Sequence, residues 1–139
     1  MKLARSVLWI GCVLFIPFGL GFMLAPEWLA ALITGAAPVT SSGLIDMRAT
    51  YGGLALAIGV CLGVSARGHF ESAKFGLLLV VTVMIFLAAG RVIGMAIDGT
   101  ANAFMYVLLM AELVFGSVAL YALRHTVRRG DHADRGMEK

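Results

Sequence analysis

"FGLLLVVTVMIFLAAGRVIGMAIDGTAN", residues 75–102, decides how this chain folds. From Phe75 to Ile97 its only charge is Arg91. A membrane-spanning helix needs about 20 predominantly apolar residues, and this run supplies them. Asp98-Gly99-Thr100 then breaks the pattern, and Ala103–Leu123 is apolar again except for Glu112. Gly99 can take the left-handed conformation that ends a helix, and Thr100 can cap the helix that follows. The stretch therefore predicts two spans joined by a tight antiparallel turn.

Counting from Thr100, Arg91 lies nine residues back and Glu112 twelve residues forward. At 1.5 Å of rise per residue their depths differ by only about 5 Å. A lone arginine at the centre of a bilayer costs about 2.5–3.5 kcal/mol or more. Its planar fork matches a carboxylate, so the hairpin predicts an Arg91–Glu112 pair. Asp98, two turns beyond Arg91 on the same face, is the alternative partner, reached by snorkelling outward.

Two further apolar runs lie upstream, near Ser6–Ala25 and Ala49–Ala66. The composition agrees: 60% of the 139 residues are hydrophobic and 14% charged, with a mean hydropathy of +0.94. A soluble domain of this size cannot hide so much apolar surface. Lipid leaves backbone groups no outside partner, so each span is a helix. The expected fold is an all-α integral membrane four-helix bundle over residues 1–123, followed by a mobile polar tail, 124–139.

The first span follows Lys2 and Arg5, as a secretory signal would. Its apolar run is long for a signal core, however, and Pro26-Glu27-Trp28 is a poor cleavage site. "WIGC", residues 9–12, is only a faint lipoprotein box, with too short an apolar stretch before it. The segment reads as a retained helix, with Pro17 placed to kink it. "PEWLAALIT", residues 26–34, then has the pattern of a short interfacial helix with Trp28 at headgroup level. "GAAPVTSSG", residues 35–43, reads as loop.

Nine of the eleven basic residues fall at one end of the bundle: Lys2, Arg5, Arg67, Lys74 and those from Arg124 onward. Positive residues stay cytoplasmic, so both termini are expected inside, in the inner (cytoplasmic) membrane of a bacterium. The basic segment after the fourth span suits anionic lipid headgroups rather than nucleic acid. His69, His125 and His132 lack metal-ligand spacing, and Cys12 and Cys61 read as small apolar packing residues. No metal or cofactor is expected. No serine has a plausible base beside it, so no catalytic constellation is visible.

The second span carries Arg48, Gly52, Ala55, Gly59 and Gly63 at steps of three or four. Small residues in a stripe let two membrane helices approach closely, at the bundle centre or at a dimer face. Gly90 and Gly94 leave similar room on the third span. Asp46, Arg48, Tyr51, Arg91, Asp98 and Glu112 all fall toward the outer end, with Asn102 and Tyr106. Intramembrane charges are functional candidates by default. The cluster is read either as ion pairs that fix helix order, including Arg48 with Asp46 or Asp98, or as a binding or transport site for an anion or lipid headgroup.

The order "APEWLAALITG", "DMRATYGGLALAIG", "AAGRVIGMAIDGT" and "AELVFGSVALY" resembles the small bacterial four-helix membrane family catalogued as domain of unknown function 4345. The resemblance runs from about Ser6 to Leu123. Its most specific pieces are Arg48 with Tyr51-Gly52-Gly53, Gly90-Arg91 with Gly94, Asp98-Gly99 and Glu112-Leu113. It implies a fold and site positions but no reaction. The resulting expectation is a structural or accessory protein that associates through its helix faces, as a homo-oligomer or in a larger membrane complex, with membrane lipid as its other partner.

Overall fold

The computed structural model describes the backbone of residues 1–137 and the side chains of residues 1–128. The described residues form five helices: α1 (Lys2–Leu24), α2 (Pro26–Thr34), α3 (Ser41–Arg67), α4 (Phe70–Asp98) and α5 (Ala103–Met137). All but α2 are long and apolar enough to cross a membrane, α5 by its Ala103–Arg128 portion. The backbone of α5 stays helical through Met137, while the side chains of residues 129–139, most of the tail expected to be mobile, lie outside the described residues.

α1 continues through Pro17, as membrane helices tolerate when neighbours re-satisfy the freed carbonyl. α2 starts with Pro26 at its first turn and ends at Gly35, whose φ of +86° is left-handed. It buries Pro26, Ala30 and Ile33 on one stripe and leaves Trp28 exposed, the arrangement of a helix lying on the bundle's end.

α3 begins earlier than the sequence suggests. Thr40 caps it by accepting a hydrogen bond from the Gly43 amide, at 3.1 Å, so Ser41–Gly43 is helix rather than loop. The helix then widens into a π-helical segment over Arg48–Gly53 before resuming at Leu54. Hydrophobic pattern does not report such a widening, because it changes the hydrogen-bond register and not the polarity of the residues.

Two antiparallel pairs build the bundle, α1 with α3 and α4 with α5. The main core lies toward the terminal end, where Leu8, Leu62, Leu77 and Val80 are fully buried. A second cluster at the α2 end gathers Phe22, Ala30 and Ile33, with Met47 and Met105 against it. Close approach between α1 and α3 depends on glycine. A Cβ on Gly59 would lie 2.8 Å from Ile16 Cγ1, one on Gly52 2.8 Å from Met23 Cγ, and one on Gly63 3.1 Å from Cys12 Sγ. Gly52, Ala55, Gly59 and Gly63 are buried. The stripe is used inside the chain, against α1, and is not available as a dimer face.

Candidate functional site

The α4–α5 turn sets the geometry of the polar residues. Gly99 has φ +91° and ψ −136°, a positive φ but not the left-handed helical conformation expected of it. The cap of α5 is Asn102, not Thr100: its Oδ1 accepts from the Met105 amide at 3.0 Å. Its Nδ2 donates to the Ile33 carbonyl, also at 3.0 Å. One side chain thus satisfies an orphan amide at the start of α5 and an orphan carbonyl at the end of α2, both groups a helix terminus leaves bare.

Arg91 and Glu112 meet across the hairpin. Arg91 Nε donates to Glu112 Oε1 at 2.8 Å, a distance typical of a charge-assisted bond. Arg91 Nη1 donates to Met105 Sδ at 3.1 Å, a weak acceptor. Glu112 is 7% exposed, and its Oε2 has no hydrogen-bond partner. The pair formed is the one the depth count predicts, and Asp98 takes no part in it. The Asp98 side chain instead turns back toward Gly94, where a Cβ would sit 3.8 Å from its Oδ2.

Arg48 pairs with neither Asp46 nor Asp98. Its Nη1 donates to the Met23 carbonyl, in the last turn of α1, where carbonyls lack an intrahelical partner and a cation is favoured. Asp46 accepts from Thr50 Oγ1 at 3.3 Å on its own helix. Tyr51 stacks on Phe22, ring centroids 5.2 Å apart. The polar residues toward the α2 end therefore form two groups, Arg48 and Tyr51 against α1 and Arg91–Glu112 between α4 and α5, with Asp46 bonded on its own helix. Phe22 and Met105 belong to one apolar cluster, so apolar side chains join the two groups.

Gly90 and Gly94 do not serve packing inside the chain. A Cβ on Gly90 would meet nothing within 4 Å, and one on Gly94 only the Asp98 carboxylate. Sequence reasoning missed the Arg48–Met23 contact, Asn102's second bond and Met105. The first two end on backbone carbonyls, which every residue carries and no residue type advertises.

Among the described residues no group of His, Cys, Asp or Glu is arranged to hold a metal ion. Four apolar spans closed by one buried arginine–glutamate pair define a small polytopic helical membrane protein. The profile of the family described as "Domain of unknown function (DUF4345)" matches residues 3–123, and the chain belongs to that family. No match was found among the curated proteins or the solved structures.

Proposed function

We propose that this is a structural or accessory protein of the bacterial inner membrane, with both termini cytoplasmic, that associates through a transmembrane helix face with a second copy or a larger membrane complex. The observation that carries this reading is the open notch at Gly90. Gly90 and Gly94 have the small-xxx-small spacing of close-packing membrane helices. The equivalent small residues of α3 are filled by α1, whereas Gly90 has open space around it. Phe86 and Ile93, one turn to either side on the same face, are exposed. The notch thus lies between exposed apolar side chains, with the Asp98 carboxylate near Gly94 at its far end.

Orientation is supported by the basic end of the bundle. There Arg67 lies over the Trp9 ring, 4.6 Å from its centroid, a cation–aromatic pair suited to the headgroup boundary. An anion or lipid-headgroup site on the outer polar residues has less support, because Arg48 and Arg91 both donate to acceptors within the chain.

Gly90→Leu tests the reading. A Cβ there meets nothing within 4 Å in the monomer, so the melting temperature should not fall, while the assembled species seen by native mass spectrometry from nanodiscs should disappear. A wild-type protein that is monomeric and co-extracts no stoichiometric partner, or assembly that survives the substitution, would overturn it.

A further inference from the structure

A cavity of about 120 Å³ opens sideways on the seam between α4 and α5. Met84 and Ala88 line it from α4, and Leu113, Gly116 and Leu120 from α5, with Glu112 toward the α2 end. From Glu112 to Leu120 the seam runs about 12 Å along α5. The volume approaches that of an engineered apolar cavity of about 150 Å³ that admits benzene. Gly116 keeps the two backbones close, since a Cβ there would sit 3.0 Å from Met84 Cβ, and the small Ala88 spares the space above it.

An apolar seam in a lipid-facing position fills with acyl chain by default. Glu112 distinguishes this one. The residue is more than nine-tenths buried, it lines the cavity, and its Oε2 accepts from no group. A buried acceptor left without a donor carries its full desolvation cost. Arg91 gives that oxygen no hydrogen bond, because its Nε serves Oε1 and its Nη1 is turned to Met105. Oε2 presents almost no surface as it stands. The terminal torsion of a glutamate is broad and soft, so a modest turn offers the oxygen to a donor lodged in the seam.

We propose that the α4–α5 seam binds a membrane-dissolved, uncharged molecule with an apolar body and one hydroxyl donor, an alcohol or a phenol, the hydroxyl bonding to Glu112 Oε2. The chemistry excludes the other classes of ligand. The unfilled atom is an acceptor, so an anion gains nothing there. The Arg91–Glu112 pair is neutral as a whole, so a cation would bring an unbalanced charge to a depth where charge is expensive. A pure hydrocarbon fills the cavity but leaves Oε2 bare.

The test uses the full chain in nanodiscs and a diazirine-bearing dodecanol as probe, with the cross-linked residues mapped by mass spectrometry. Labels are expected to concentrate on the seam, residues 81–88 and 112–120. Plain 1-dodecanol should displace the probe about tenfold to a hundredfold better than its methyl ether, which has the same chain and no donor, the range one net hydrogen bond to a charged group spans. Glu112→Gln presents a donor where Oε2 was, so the preference for alcohol over ether should vanish. If that variant does not fold, Ser117→Trp decides, because Ser117 lines the seam and lies outside the ion pair. It should abolish labelling of the seam. Labelling spread evenly over the exposed residues of every span, equal displacement by alcohol and ether, or seam labelling that persists in Ser117→Trp would each overturn the proposal.

Discussion

Asn102 holds the carbonyl of Ile33 at 3.0 Å while capping its own helix, so the interfacial helix α2 is fastened to the α4–α5 hairpin by one amide side chain. Replacing it removes both bonds. Asn102→Ala should lower stability by about 1 kcal/mol for the lost cap and more for the stranded carbonyl. Hydrogen exchange should accelerate at the Met105 amide and along α2. Loss of protection at Met105 with α2 unaffected would show that the Ile33 contact carries no weight.

Arg48 is expected to behave as a cap for α1 and not as an ion-pair partner. Arg48→Met should therefore loosen the α1–α2 junction around Ala25, seen as faster exchange of the Ala25 and Leu29 amides, which donate to the Gly21 and Ala25 carbonyls. Asp46→Asn should leave that junction unchanged, since Asp46 bonds only Thr50 among the described residues. Equal effects of the two substitutions would point to an Arg48–Asp46 pair instead.

Gly59→Leu should destabilise the folded monomer. A Cβ there already meets Ile16 at 2.8 Å, and overpacking typically costs about 1–3 kcal/mol. Thermal unfolding in nanodiscs measures it, and Gly52→Leu at the other end of the stripe should act alike. An unchanged melting temperature for both would mean that α1 and α3 do not pack through these glycines.

Alkaline phosphatase fused after Lys139 should be inactive in bacteria, and a fusion within the 36–39 connection between α2 and α3 should be active. The basic end of the bundle sets this expectation. High activity at the C-terminus would reverse the proposed orientation.

Much of this architecture was legible from residue types alone. Lipid demands long apolar runs, so the spans announced themselves, and Pro26 with its apolar pattern announced α2. The Arg91–Glu112 pair was legible because the short turn gives both residues a common origin for counting depth. Helix faces were harder to read. Around a membrane helix every face is apolar, so periodicity loses the contrast that orients a helix in water, and only small residues remain as a guide. That guide was ambiguous: the glycines of α3 face α1, whereas Gly90 faces open space. Arg48 was misleading for another reason. Carboxylates at Asp46 and Asp98 stood out in the sequence, yet the acceptor it found is the backbone of Met23.

The central claim is that Arg91 and Glu112 form one unit that closes the α4–α5 hairpin, and a double-mutant cycle in nanodiscs tests it most directly. Arg91→Met leaves Glu112 buried, but that carboxylate can take a proton and become neutral. Glu112→Gln leaves an arginine that cannot shed its charge. Breaking a buried pair costs about 3–5 kcal/mol, so both single variants should unfold more easily, Glu112→Gln the more severely. The double variant strands no charge, and its loss should fall short of the sum of the two by about 0.5–3 kcal/mol, the coupling expected of residues in contact. Strictly additive losses would contradict the account, because they would show that the two side chains, 2.8 Å apart in this structure, do not act on one another.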